Sequence, residues 1–166
     1  MGLAPPQAVV SPMYYTIGQL RDTVGLSLET YRHWKRALPS YAGRTGRAPC
    51  FTIGDLVAAS IIRRLTETAG IRVSALKDVV PDIITICDAS PWSVMEGGVF
   101  AIDLLERKCR IVRDPSPWKA GELTIFCPLD PLLAELRGAL LREQGESDQS
   151  QLLFPPLALT RTVATR

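Results

Sequence analysis

The stretch TIGQLRDTVGLSLETYRHWKR, residues 16–36, predicts two short helices joined by a tight turn. Thr16 and Gln19 have the spacing of a capping box, in which each side chain accepts a hydrogen bond from the backbone amide of the other residue. Gly25 is expected to end the first helix, because glycine adopts the left-handed conformation without steric cost. Ser27 is then suited to cap the second helix.

The second predicted helix has a basic face. Arg32, Lys35 and Arg36 recur at three- and four-residue spacing, which places their side chains on one side of a helix. Leu28 and Tyr31 are expected to face the core. A short helix, a glycine-bearing turn and a second helix with a basic face together predict a helix-turn-helix.

Residues 41–49 follow the second helix and contain two arginines, Arg44 and Arg47. The segment is too rich in glycine for a helix, and the strand-like residues 50–51 come directly after it. This pattern predicts a hairpin or a wing that presents both arginines.

Two more helices are predicted downstream. Residues 52–56 nearly repeat residues 16–20, so they predict a third helix with a capped start, which we expect to stop at Gly70. Residues 73–80 have apolar side chains at helical spacing and predict a fourth helix that ends before Pro81.

This order of elements resembles the winged helix-turn-helix of the MerR family of bacterial transcription regulators. The resemblance implies that the second helix contacts the DNA bases. The family's Thr-x-Arg-aromatic-aromatic pattern falls on Thr30, Arg32, His33 and Trp34. It covers residues 14–80. The segments that carry it are 15–20, 24–27, 30–34, 51–56, 61–65 and 70–80.

A physical account of DNA binding supports the same residues. Helix 27–36 would lie in the major groove, where arginine makes paired hydrogen bonds to guanine. Loop 41–49 would contact the flanking backbone, and the start of the helix would hold a phosphate. Trp34 and Tyr31 are expected in the core, and His33 is interpreted as either a phosphate contact or a surface polar group. The predicted DNA-binding residues are Ser27, Thr30, Arg32, His33, Lys35, Arg36, Arg44 and Arg47.

The charge distribution also favours a polyanionic partner. Residues 13–82 carry ten lysines and arginines against six carboxylates, a net charge of +4, whereas the remainder carries nine against eleven, a net charge of −2. A basic segment of this kind is typical of nucleic-acid binding, and an ordinary solvated helical surface is the alternative interpretation.

Composition excludes several other classes of protein. With 46% hydrophobic and 22% charged residues, the composition is that of a globular protein. A membrane-spanning helix needs about 18 consecutive apolar residues, and no stretch of the sequence approaches that length. The single histidine argues against histidine-based catalysis and against two-histidine metal sites. We therefore expect no enzyme, no cofactor and no bound metal. The cysteines are Cys50, Cys87, Cys109 and Cys127. They are far apart in the sequence, which favours reduced thiols in a cytoplasmic protein.

The second half of the chain predicts a small strand-containing module. Short strands are expected at residues 99–104, 109–112 and 122–127, and a helix at residues 131–141 with Asp130 as its N-cap. About sixty residues bury little surface alone, so we expect this module to pack either on the first half of the chain or on a second copy, which makes it a candidate for dimerisation.

The predicted class is therefore α+β, with four parts. A loose N-terminal arm (1–12) precedes a mostly helical winged helix-turn-helix domain (13–82). A strand-containing module with one C-terminal helix (83–141) and a flexible tail (142–166) follow. The apolar end of the tail either docks on a protein partner, docks on the body of the chain or stays disordered.

The predicted function is a homodimeric, sequence-specific regulator of transcription that binds double-stranded DNA. Two alternatives remain. An architectural or excisionase-like factor would bend DNA at several adjacent sites. A protein-interaction adaptor would keep the fold without contacting DNA.

Overall fold

The computed structural model describes residues 13–44, 48–113 and 123–151, with side chains described as far as residue 142. The described chain is α+β, as predicted, and includes a 3-10 helix at Val73–Leu76. The other elements are α1 (Ile17–Val24), α2 (Leu28–Ala37), α3 (Pro39–Ala42), α4 (Ile53–Glu67), α5 (Val80–Ala89), α6 (Trp92–Met95), β1 (Val99–Asp103), β2 (Lys108–Val112), β3 (Thr124–Pro128) and α7 (Leu129–Gln151).

The helix signals of residues 16–36 are confirmed. The backbone amide of Gln19 donates to Thr16 Oγ1 at 3.2 Å, and the amide of Thr16 donates to Gln19 Oε1 at 2.9 Å. Gly25 ends α1 in the left-handed conformation, with a φ of 74°. The side chain of Ser27 caps α2, accepting a hydrogen bond from the Thr30 amide at 3.0 Å.

Helix α4 is the central helix of the fold, because six consecutive residues, 54–59, are buried. Its start repeats that of α1, with Thr52 and Asp55 forming a second capping box. Helix α5 makes the most extensive helix–helix contact with it in the described part of the chain. The two helices lie close together at Gly54, where an added Cβ would lie 2.7 Å from the Cα of Asp88.

The predicted helix over residues 73–80 is wrong. Residues 73–76 form a 3-10 helix, and α5 begins at Val80 with Pro81 in its first turn. Proline is tolerated there, because the first amides of a helix have no intrahelical partner. The predicted division of the chain between residues 82 and 83 therefore falls inside α5.

The three predicted strands are confirmed and form one antiparallel sheet in the order β2-β1-β3. Phe100 and Ile102 of the central strand are buried. Phe100 lies opposite Cys127 of β3, and Ile102 lies opposite Cys109 of β2. These side chains form the inner face of the sheet, which belongs to the same apolar core as α4 and α5.

Helix α7 is longer than predicted. It runs through Leu129–Gln151, so the predicted end at residue 141 is wrong and the helix extends into the predicted tail at 142–166. The carboxylate of Asp130, predicted as the N-cap, instead accepts a hydrogen bond from the Gly97 amide at 2.6 Å. The predicted arm (1–12) and residues 152–166 lie outside the described residues. No helix in the described ranges combines the length and apolar character needed to cross a bilayer.

Candidate nucleic-acid interface

An aromatic cluster fixes α2 to the core. Tyr31 and Trp34 are buried on the inner side of the helix, and Trp34 is only 1% exposed, which confirms its predicted place in the core. The ring of Tyr41 meets both side chains edge-on, with centroid distances of 6.3 Å to Tyr31 and 5.8 Å to Trp34. Edge-on aromatic contacts of this kind hold a helix in one orientation.

The opposite side of α2 carries the basic side chains. Arg32, His33 and Arg36 are exposed, and Lys35 is half-buried beside them. None of these four forms an ion pair or a side-chain hydrogen bond with another described residue. Glu29 is exposed on the same outer side and is also unpaired within that part of the chain. The outer face of α2 is therefore polar, mostly cationic and not engaged in the fold.

The start of α2 offers hydroxyl groups next to this face. Ser27 is exposed and Thr30 is half-buried, and their hydroxyl oxygens are 2.8 Å apart. Both side chains border a shallow cavity of about 450 Å³, together with His33 and Arg36. The structure thus brings together six of the predicted site residues: Ser27, Thr30, Arg32, His33, Lys35 and Arg36.

Arg44 lies away from this face, against the core. One of its guanidinium nitrogens is 2.5 Å from Asp55 Oδ2, and its guanidinium carbon lies 5.0 Å from the centre of the Phe51 ring. Asp55 is 1% exposed. Burial of Arg44 lowers its pKa, but the hydrogen bond and the charge of Asp55 raise it, and the net shift is upward. Arg44 therefore ties the loop to the start of α4.

The predicted wing is only partly described. Its first residues form the helical turn α3, so the prediction of a non-helical segment is wrong at residues 41–42. The strand-like interpretation of Phe51 is confirmed, because Phe51 forms an antiparallel bridge with Tyr15. Residues 45–47, including the predicted contact Arg47, lie outside the described residues, so this part stays a prediction.

One residue next to the interface, Arg63, was not among the predicted site residues. Arg63 Nη1 on α4 donates to the carbonyl oxygen of Val24 at 2.6 Å, and Arg63 Nε pairs with Glu67 at 2.7 Å. The guanidinium also lies against Gly25, since an added Cβ would be 2.7 Å from Arg63 Nη1. Arg63 therefore links the turn between α1 and α2 to the central helix. The four-residue spacing of Arg63 and Glu67 was the available sequence signal.

Three of the four cysteines, Cys87, Cys109 and Cys127, are poorly suited to nucleophilic chemistry. All four are free thiols. Burial raises the pKa of Cys87 and Cys127, and it raises the pKa of Cys109 to about 12. Such thiols stay protonated near neutral pH, and the thiol is a much weaker nucleophile than the thiolate. Within the described ranges, no group of three or more His, Cys, Asp or Glu side chains is arranged to hold a metal ion.

Comparisons of the chain with protein-family models, with curated proteins and with solved structures give no match. The functional assignment therefore depends on the residues and their geometry.

Proposed function

We propose that this chain is a sequence-specific DNA-binding regulator of transcription that reads the major groove with α2. In this proposal residues 13–82 form a winged helix-turn-helix like that of the MerR family. The observation that carries it is the outer face of α2, where Arg32 and Arg36 are exposed and without an ion pair in the described chain. These two cations lie one helical turn apart, and neither pairs with another described part of the fold.

The arrangement suits duplex DNA in three ways. An α-helix fits the major groove, and each exposed arginine can donate two hydrogen bonds to a guanine. The start of α2 is a second place where a phosphate can bind, because the first amides of a helix have no intrahelical partner and Ser27 there is exposed. Glu29, on the same side, is an acceptor for the amino group of cytosine.

Arg44 has a different part in this proposal from the one predicted. Because its guanidinium is paired with the buried carboxylate of Asp55, it serves to hold the loop in place rather than to contact phosphate. Arg47 remains the proposed contact to the DNA backbone.

We also propose a homodimer, because helix-turn-helix proteins commonly bind two half-sites about 34–36 Å apart. Large apolar side chains exposed in the second half of the chain support this: Leu105, Leu123, Phe126 and Leu141. Light scattering of the purified protein tests the proposal directly, and a monomer mass at all concentrations would contradict it.

The test of DNA binding is selection of bound duplexes from a random pool, followed by gel-shift titration of the best sequence at increasing salt. The affinity should fall steeply with salt, because each phosphate contact releases counterions. Arg32→Ala should weaken binding to the selected site by about tenfold or more, since a paired contact to guanine contributes about 1–3 kcal/mol of discrimination. Binding to unrelated duplexes should change far less.

Lys108→Ala is the matched control, because Lys108 is an exposed cation on β2 that belongs to a different element. It should leave the affinity for the selected site unchanged. No duplex binding at low ionic strength would contradict the proposal and favour the adaptor alternative. A footprint that extends over several adjacent sites would favour the architectural or excisionase-like alternative.

A further inference from the structure

A second candidate site lies behind the turn that leads into α2. The end of α1, the second half of α4 and the middle of α7 enclose an open cleft of about 600 Å³. Asp22 and Gly25 border it on one side, Arg63 and Glu67 on the second, and Arg142 on the third. Its volume lies within the about 300–1,000 Å³ that is usual for small-molecule sites.

The charges around this cleft pair with one another, except for two. Arg63 pairs with Glu67 at 2.7 Å, and Arg64 pairs with Glu135 at 2.6 Å. Asp22 and Arg142 also line the cleft, but neither forms an ion pair or a side-chain hydrogen bond with another described residue. Among the residues whose side chains are described, one negative charge on α1 and one positive charge on α7 therefore line the cleft without a partner.

The wall formed by α7 leaves room next to Arg142. Gly138 precedes Arg142 by one helical turn and lines the same cleft. An added Cβ at Gly138 would meet only Arg142 Nη1, at 3.8 Å, within a radius of 4 Å. Space is therefore open at this position, and the core does not fill it.

We propose that this cleft binds a small zwitterion, a molecule with one ammonium and one carboxylate group. The ammonium pairs with the Asp22 carboxylate, and the ligand carboxylate pairs with the Arg142 guanidinium. A single exposed ion pair contributes little in water, so the ligand must engage both charges to bind. A simple anion or a simple cation meets only one of them and faces the like charge of the other.

The same geometry couples the cleft to DNA binding, and this part rests on the proposed function. Asp22 belongs to α1, three residues before the turn that positions α2. Arg63, on the adjoining wall, donates to the carbonyl oxygen of Val24 at the end of α1. A ligand held between α1 and α7 therefore favours one arrangement of the turn, and it shifts the affinity for DNA to the extent that this arrangement suits binding.

Isothermal titration calorimetry of the full chain, without DNA, tests the site. L-glutamine, L-leucine and L-alanyl-L-alanine are the zwitterionic probes, succinate is the dianion and putrescine is the dication. At least one zwitterion should bind, and succinate and putrescine should bind about tenfold more weakly or not at all. No binding of any zwitterion, or equal or tighter binding of succinate or putrescine, overturns the proposal.

Substitutions locate the binding. Asp22→Asn and Arg142→Gln should each weaken binding of the zwitterion by about tenfold. Gly138→Leu should abolish it by filling the cleft, while the melting temperature holds or rises, because leucine favours a helix more than glycine does. Asp82→Asn and Lys108→Gln remove exposed charges elsewhere and should leave binding unchanged. Equal weakening in these two controls overturns the assignment of the cleft.

The coupling is tested by gel shift of the selected duplex with and without the zwitterion that binds. A change of about threefold or more in DNA affinity, absent in Gly138→Leu, supports regulation through this cleft. An unchanged affinity overturns the regulatory part. If the chain binds no DNA at all, the proposed function fails, while calorimetry still decides whether the cleft is a zwitterion site.

Discussion

Helices α2 and α4 both carry neighbouring basic residues, but the surrounding structure uses them in opposite ways. On α2, Arg32 and Arg36 are exposed and unpaired in the described chain. On α4, Arg63 and Arg64 both find partners on other elements or on the next turn. The same residue type is therefore structural on one helix and available for binding on the other.

The number of buried faces explains this difference. Helix α2 buries one side, through Tyr31 and Trp34, and leaves the other to solvent. Helix α4 is buried at six consecutive residues, 54–59, where the one charged side chain, Asp55, is paired with Arg44. Arg63 and Arg64 lie in its second half, which α1 and α7 border. Arg63 and Arg64 are partly exposed and lie within reach of acceptors on α1, α4 and α7, whereas the exposed Arg32 and Arg36 of α2 pair with no described acceptor. Changes in α4 should therefore alter stability, and changes on the outer face of α2 should alter binding.

The largest effect is expected where α4 meets α5. Gly54→Ala should lower the free energy of unfolding by about 3 kcal/mol, because the new Cβ would lie 2.7 Å from the backbone of Asp88 and the two helices must separate. The Thr52 hydroxyl also donates to the Asp88 carboxylate, so the same separation disturbs this contact between the start of α4 and α5. Urea unfolding of the variant measures the loss.

Gly18→Ala is the matched control, because Gly18 holds the same position in the near-repeat at the start of α1. Its added Cβ would meet only Thr16 Oγ1, at 3.7 Å. The free energy of unfolding should change by less than about 0.5 kcal/mol, or rise, since alanine favours a helix. Equal losses in both variants would show that α4 is no more tightly packed than α1.

Local signals account for the parts of the fold that the sequence predicts well. The caps at Thr16 and Ser27 involve partners only three residues away, and the left-handed turn at Gly25 depends on that residue alone. The three strands were also predicted, from short runs rich in valine, isoleucine and phenylalanine and, at residues 122–127, from alternating side chains. The outer face of α2 follows from helical spacing once the buried side is known.

Tertiary contacts account for what the sequence could not predict. Proline both ends and begins helices, so Pro81 alone did not reveal that α5 starts beside it. Leu28 was expected in the core but is 44% exposed, because Tyr31 and Trp34 define the buried side of α2. The pairing of Arg44 with Asp55 joins a loop to a buried helix start, and nothing in the local sequence around Arg44 specifies that partner.

A smaller effect is expected where Arg63 of α4 contacts the end of α1. Arg63→Met should lower the free energy of unfolding by about 1–2 kcal/mol, because the Val24 carbonyl at the end of α1 loses its hydrogen bond from the guanidinium. Methionine keeps most of the apolar stem, so the loss reports mainly on the polar contacts. Thermal and urea unfolding together measure it.

Glu67→Gln is the control for that substitution. It removes only the charge of the exposed partner of Arg63, while the bond from Arg63 to Val24 remains. The cost should be below about 0.5 kcal/mol, as for exposed ion pairs in general. If Glu67→Gln costs as much as Arg63→Met, the ion pair rather than the bond to the turn holds α1 against α4.

The smallest effect is expected for the pair that joins α4 to α7. Arg64 and Glu135 are 2.6 Å apart, but their side chains are 37% and 71% exposed, so water and salt screen their attraction. A double-mutant cycle with Arg64→Gln and Glu135→Gln should give a coupling of about 0.5 kcal/mol that disappears at about 1 M salt. A coupling above about 1.5 kcal/mol that survives high salt would mean that α7 is held to α4 by charge. In that case Arg64 would be as structural as Arg63. With the expected weak coupling, the buried leucines Leu132, Leu133 and Leu136 must supply most of the attachment of α7.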